Sequence, residues 1–323
     1  MIIETKHLQT VMNECTAELT GKVVAITGTT SGTGYVCARE LARLGATVLL
    51  LNRESARSSA ALQHLKAEVP KGTYVAITCD LQNFASVKEA VKTITERFST
   101  IDVLCNNAGV MAMPDRATSD GYDVQMQTNC ISHFLLTKEL FPLIRRSEQG
   151  RIVNHTSMAR LGPPLEMRYF EKRGGDLGGD GTEEENMSFS GPRWHRYHQT
   201  KLANCAFTYG LKTRMEESEV PQIKVLLAHP GLAATSLQVT TAKAGGMDAE
   251  SELMTNAQSA EDGATGILRC CADPGVASGD FYGPARWSGF PSKLIPEPEL
   301  SSADNIRINW EGCEAAVGSF SIQ

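Results

Sequence analysis

The chain has no apolar run of the roughly 20 residues that a bilayer crossing needs. Its first residues, Met1 to Leu19, mix Glu4, Lys6, Asn13 and Glu14 among the apolar ones. Neither a membrane span nor a secretory leader is expected. No basic run is long enough to make a patch, and the net charge is −6, so no nucleic-acid or anionic-membrane surface is expected. The nine cysteines contain no Cys-x-x-Cys. Cys37, Cys79, Cys105, Cys130 and Cys205 sit in apolar stretches, and the adjacent Cys270 and Cys271 suit no disulfide ladder. The reading is free buried thiols in a reducing, cytoplasmic setting. His195 and His198 have no carboxylate or thiolate at ligand spacing, so no metal is expected. Internal repeats and composition breaks are also missing.

What is present is an ordinary globular balance, 41% apolar and 21% charged over 323 residues. Short apolar runs at Lys22–Thr27, Ala46–Leu51, Tyr74–Cys79, Ile101–Cys105, Arg151–Thr156 and Ile223–Ala228 read as strands, with a possible seventh at Gly279–Tyr282. Helical periodicity falls between them: Tyr35–Leu44, Ser55–Val69, Phe84–Phe98, Asp123–Arg146, a segment from about Tyr197 to Glu217, and Ser259–Cys271. Alternating strands and helices predict an α/β fold, a parallel sheet wrapped on both faces. One domain is expected over 21–323, after an extension at 1–20. Residues 160–196 break the rhythm with Gly174-Gly175, Gly178-Gly179, Gly181, Pro163-Pro164 and Glu183-Glu184-Glu185, and predict a mobile, loop-rich insertion.

Two motifs carry chemistry. Thr27-Gly-Thr-Thr-Ser-Gly-Thr-Gly34 follows the first strand and opens a helix. Gly28, Gly32 and Gly34 let backbone amides approach a pyrophosphate at a helix N-terminus, with Thr30, Ser31 and Thr33 between them. Far downstream, Tyr197 and Lys201 are four residues apart, one helical turn. An ammonium so placed is expected to lower the phenol pKa from its usual value of about 10. Strand two ends at Asn52-Arg53, where an NAD enzyme places an acid on the ribose hydroxyls. A guanidinium there pairs with a 2′-phosphate, which favours NADP over NAD. The alternative for Arg53 is a solvated surface charge.

The glycine spacing resembles that of the short-chain dehydrogenase/reductase family, and further matches follow in order. Asp80-Leu81 resembles the family's adenine contact, and Asn106-Asn107-Ala108-Gly109 its Asn-Asn-Ala-Gly signature. Pro230-Gly231, with Ala233 and Thr235, resembles the segment beside the nicotinamide. The likeness covers roughly residues 20 to 285. It implies a Rossmann-type, doubly wound parallel sheet of about seven strands, with ligands at the strand ends. It further implies hydride transfer between nicotinamide C4 and a carbonyl or alcohol carbon. Tyr197 is then the acid/base, Ser157 (with Thr156 as the alternative) the orienter of the oxygen, Lys201 a ribose ligand, and Asn129 a link from the lysine to solvent. His195 and His198 read as wall or surface residues.

Leu104-Cys-Asn-Asn-Ala-Gly109 and Ser132-His-Phe-Leu-Leu-Thr137 resemble the retinol-dehydrogenase-like group most. Ser157 and Tyr197 are 40 residues apart, whereas members without an insertion hold them far closer. By analogy with monomeric carbonyl reductases, residues 160–196 are expected to cover the substrate pocket and disfavour dimerisation. The segment 233–323 is expected on the substrate side, and the substrate to be an apolar carbonyl or alcohol. Two rivals remain. One is a protochlorophyllide-type, light-dependent C=C reductase, although residues 160–196 contain no cysteine. The other is an NADP-sensing scaffold without turnover.

Overall fold

The computed structural model describes residues 3–15, 18–220, 222–248 and 250–322. Met1, Ile2, Thr16 and Ala17 of the expected extension lie outside them. The chain runs α1 (Leu8–Glu14), β1 (Val23–Thr27), α2 (Gly32–Arg43), β2 (Thr47–Asn52), α3 (Ala56–Glu68), β3 (Thr73–Thr78), α4 (Phe84–Arg97) and β4 (Val103–Asn106). A helical turn α5 (Val124–Met126), a π-helical turn (Gln127–Ile131) and α6 (Ser132–Ile144) follow, then β5 (Arg151–His155), α7 (Glu183–Met187) and α8 (Gly191–Glu217). The last elements are β6 (Lys224–Ala228), α9 (Ser236–Lys243), α10 (Ala260–Ala272), β7 (Phe281–Gly283), β8 (Ser292–Leu294) and α11 (Ala303–Val317).

The sheet has eight strands in the order β3-β2-β1-β4-β5-β6-β7-β8, and only the β7–β8 pairing is antiparallel. The short edge strand β8 is one more than the sequence predicted; its Ser292-Lys293-Leu294 carries too few apolar residues to signal itself. The inner strands β1, β2, β4 and β6 are apolar without alternation because both faces are covered. Val48 and Leu50 pack with Val24, Ile26, Leu41 and Ile267 on one side. Leu49 and Leu51 pack with Leu104, Ile152, Phe134 and Phe207 on the other. Each such side chain stabilises the fold by roughly 1.5–3 kcal/mol. Between β1 and β4 the strand order reverses direction, and the crevice opens there at the carboxyl ends.

Helix ends follow local rules. Asn83 caps α4 by accepting from the Ala85 N–H at 2.9 Å, and Ser55 forms a capping box with Ser58 at α3. The Asp262 carboxylate at the start of α10 accepts from the backbone N–H groups of Lys6 and His7, at 2.8 and 2.7 Å, and so fastens the N-terminal arm. Helix α11, which the sequence reading did not assign, covers α8: the Arg214 guanidinium lies 3.7 Å over the Trp310 ring. The long helix expected at 123–146 is interrupted by the π turn, which carries Asn129.

The insertion is fastened rather than loose, and α8 begins at Gly191, within it. Arg196 is the anchor. Its side chain is wholly buried, and it donates to the carbonyls of Leu177, Gly179 and Met113 at 3.2, 2.7 and 3.2 Å. Around it lie Asp115 at 3.7 Å and Asp123 at 3.5 Å. Asp115 in turn accepts from the N–H groups of Gly175, Leu177 and Gly179, at 2.8 to 2.9 Å. Burial pushes the Asp123 carboxyl up to about 6, against its backbone hydrogen bonds and the Arg196 charge. Truncating one member of a buried ion cluster leaves the others unpaired, at a cost of about 3–5 kcal/mol. Arg196→Leu is therefore expected to lower the unfolding free energy by about that amount in urea titration. A loss below about 1 kcal/mol would show that the cluster does not hold the insertion.

Candidate active site

The turn after β1 is a cradle built around the side chain of Asn107. Its amide donates to the Thr27 carbonyl at 2.8 Å, and its oxygen accepts from the Thr33 hydroxyl at 3.0 Å. Gly28 has φ +74°, and a Cβ there would lie 2.8 Å from the Ala108 Cβ. A Cβ on Gly34 would lie 2.3 Å from both the Asn107 amide nitrogen and the Gly28 carbonyl oxygen. Backbone therefore forms the floor of the cleft at the N-terminus of α2, as a pyrophosphate requires. Thr30, Ser31, Gly32 and Thr33 line it, while Gly34 lies beneath it, packed on Asn107.

Around this cradle the other strand ends contribute Arg53, Asp80, Leu81, Ala108, Gly109, Pro230, Gly231, Ala233 and Thr235 to one continuous cleft of about 950 Å³. Thr235 caps α9 and lies against Gly32. Asn52 also reaches the cleft, but its side chain is committed to Thr29, accepting from its N–H and donating to its hydroxyl, both at 2.8 Å. It braces the turn. Arg57, in the first turn of α3, lines the same end and donates to the Ser31 hydroxyl. Sequence reasoning missed it, because nothing in the sequence ties the first turn of α3 to the loop after β1 where Ser31 lies. This end of the cleft therefore carries two arginines, Arg53 and Arg57.

Ser157, Tyr197 and Lys201 meet at the other end. Ser157 leaves β5 as the cap of a short 3₁₀ turn, accepting from the Ala159 N–H at 3.2 Å, and its hydroxyl lies near enough to the Tyr197 phenol to draw the phenol's pKa down. Thr156, the alternative, has its hydroxyl turned to the Lys201 carbonyl at 2.8 Å, which leaves Ser157 facing the phenol. The Lys201 ammonium donates to the His155 carbonyl at 3.2 Å and lies 5.6 Å from the Tyr197 ring centre. The expected lowering of the tyrosine pKa is not seen. Burial pushes the phenol up to about 12, against the opposing pull of the Ser157 hydroxyl, and burial draws Lys201 down to about 8. In this enclosed corner desolvation of the charged form is the largest influence on each group. Asn129 does not reach the cleft wall. It is wholly buried behind it, accepting from the Val110 N–H and donating to the Val110 carbonyl, each at 2.8 Å, and donating to the Thr200 hydroxyl at 3.0 Å.

Beyond the phenol the cleft turns apolar. Met111, Met247, Phe189, Trp194, Ala159 and Leu237 pack around Tyr197, with the Trp194 ring edge-on to it at 5.8 Å. None of these was legible as a site residue, because they converge from five separate segments with no local pattern. Gly34→Ala drives a methyl into the Asn107 amide, and such overpacking costs about 1–3 kcal/mol. The variant is expected to lose that much stability in thermal or urea unfolding, together with nucleotide affinity in titration. Unchanged unfolding would mean the cradle is slacker than its contacts imply.

These features define a glycine-lined crevice at the switch point of a parallel sheet that opens onto an apolar cavity bearing a buried tyrosine. Comparison with known proteins gives the class a family. The short chain dehydrogenase profile matches residues 22–169. Human retinol dehydrogenase 13 is 34% identical over 221 residues, 68% of this chain and 62% of its own. An uncharacterized oxidoreductase of Schizosaccharomyces pombe is 34% identical over 226 residues, with the same shares. The chain thus spans somewhat less than two thirds of the length of these relatives. A crystal structure of an uncharacterized protein from Mycobacterium paratuberculosis superposes with a TM-score of 0.73 at 28% identity, covering 95% of this chain and 98% of that one. The chain belongs to the short-chain dehydrogenase/reductase family, and it is similar there to the retinol-dehydrogenase-like group.

Proposed function

We propose that the protein is an NADP-dependent oxidoreductase that interconverts a bulky apolar carbonyl compound and its alcohol. The observation that carries this reading is the Tyr197–Ser157 pair at the junction of the glycine cradle and the methionine-rich cavity. A reduced nicotinamide bound in the cradle supplies the hydride. Tyr197 gives its phenolic proton to the carbonyl oxygen, and Ser157 donates a hydrogen bond to that oxygen as charge gathers there. Lys201 and Asn129 support the pair from behind. Arg53 and Arg57 hold the 2′-phosphate. The test is a panel of aldehydes, ketones and alcohols of increasing size, followed at 340 nm with each nicotinamide cofactor. Turnover of large apolar substrates with NADPH supports the reading; none with either cofactor overturns it.

The insertion and α11 cover the helix that family members commonly use for pairing, so a monomer is expected in sedimentation. Among the described residues no helix is long and apolar enough to cross a membrane.

Arg53→Ala is expected to weaken NADPH binding by about 1.5–3 kcal/mol, the range for a hydrogen bond to a charged group, and to leave NADH nearly unchanged. Equal weakening of both in fluorescence titration would remove Arg53 from the phosphate site. Tyr197→Phe should lower kcat by at least the roughly 10²–10⁴-fold of general acid catalysis while keeping NADPH affinity. A variant retaining most of the wild-type kcat would sink the mechanism. Because burial raises the phenol to about 12, it stays protonated through the neutral range. Carbonyl reduction should therefore be flat near neutrality. Alcohol oxidation, which needs the phenolate, should climb as the pH rises into the alkaline range, and a flat oxidation profile would contradict this.

A further inference from the structure

We propose that His198 is a positioning residue that sets the size of substrate the cavity accepts, by holding the backbone of residues 159–163 in place as its wall. This rests on reading the cavity as the substrate site. His198 follows Tyr197 on α8 and is buried. Its Nδ1 lies 2.7 Å from the Ala159 carbonyl oxygen, and its Nε2 lies 2.8 Å from that of Pro163. A neutral ring donates to one of these and the imidazolium to both. The two carbonyls bracket a three-residue span, and Ala159, Leu161, Gly162 and Pro163 all line the cavity. Leu161 is half exposed, at the rim.

The span lies flat on the imidazole. A Cβ on Gly162 would sit 2.8 Å from the ring Cε1 and 2.9 Å from Nε2, so only glycine permits this approach. Beyond its 3₁₀ turn the segment has few donors of its own, since Pro163 and Pro164 have no N–H, and its carbonyls are gripped from α8. Gln199, the next residue of α8, grips the second of them, donating to the Pro164 carbonyl and accepting from the Glu166 N–H, both at 2.9 Å. Arg160, between the two gripped carbonyls, is turned away from the cavity to Glu297 and over the Phe281 ring at 4.9 Å. The proton donor and the holder of the wall are thus consecutive residues of one rigid helix. That fixes the distance from Tyr197 to the wall, and hence the room beside it.

Two variants separate the parts. His198→Phe keeps a flat ring under Gly162 and removes both polar contacts. Gly162→Ala keeps the imidazole and lifts the backbone off it. Each is expected to change KM for a bulky apolar carbonyl by about 3- to 30-fold, the effect of losing one or two neutral hydrogen bonds, with kcat within about twofold and NADPH affinity unchanged. KM for a small carbonyl should move much less. Hydrogen exchange gives a readout independent of turnover: amides in the peptide spanning 158–166 should exchange about tenfold or more faster in His198→Phe. Unchanged exchange overturns the clamp. Faster exchange with KM unmoved for the bulky substrate, or with kcat and NADPH affinity falling alongside KM, overturns the role in substrate choice. If the wild-type chain turns over no carbonyl and exchange still rises, the functional reading fails and the clamp stands.

Discussion

The site depends on one constraint: α8 is a polar helix buried for most of its length. Arg193, Arg196, Tyr197, His198, Gln199, Lys201 and Asn204 are all nearly inaccessible to water. Burying such groups costs several kcal/mol each unless they find partners. They find them in the loops that converge on the sheet's carboxyl edge. Arg193 reaches Asp180 at 2.8 Å, and Asn204 joins Lys201 on the His155 carbonyl at 3.1 Å. The need to satisfy one helix therefore orders the insertion, the wall segment and the end of β5 together. Tyr197 is held at their meeting point.

The same burial decides the electrostatics. The residue pattern alone suggested a lysine that makes its tyrosine acidic. In the folded chain both groups are removed from water, and desolvation holds the tyrosine protonated while easing the proton off the lysine. Neighbouring imidazoles obey the same rule: burial keeps His155 and His229 neutral, at about 3. At the nucleotide end the logic is reversed. Arg53 and Arg57 lie toward solvent, where a guanidinium is open to an incoming anion.

The sequence was most legible where chemistry requires a residue type at a strand end. Gly28, Arg53, Asp80, Ala108, Ser157 and Pro230 could be placed because a parallel sheet delivers every strand terminus to one edge. It was less legible where a residue's duty is to another residue. Gly34 and Asn129 carry motif positions yet lie behind the cleft, and Asn52 spends its side chain on Thr29. It was least legible where contacts come from far along the chain. The apolar wall of Met111, Phe189, Trp194 and Met247 joins segments more than a hundred residues apart, and no periodicity reports such a meeting. The glycine-rich insertion read as mobile because its order comes from buried cations of α8, Arg193 and Arg196, the latter's partners Asp115 and Asp123 lying far upstream.

The most direct test of this account is the fate of the hydride. The protein would be given NADPH deuterated at nicotinamide C4, each face in turn, with a bulky apolar aldehyde, and the product alcohol examined by mass spectrometry and NMR. The account predicts deuterium on the carbinol carbon from one face only, since a single cradle fixes the side presented to the cavity. A product with no deuterium from either face, or with deuterium drawn equally from both, would contradict hydride transfer in this cleft.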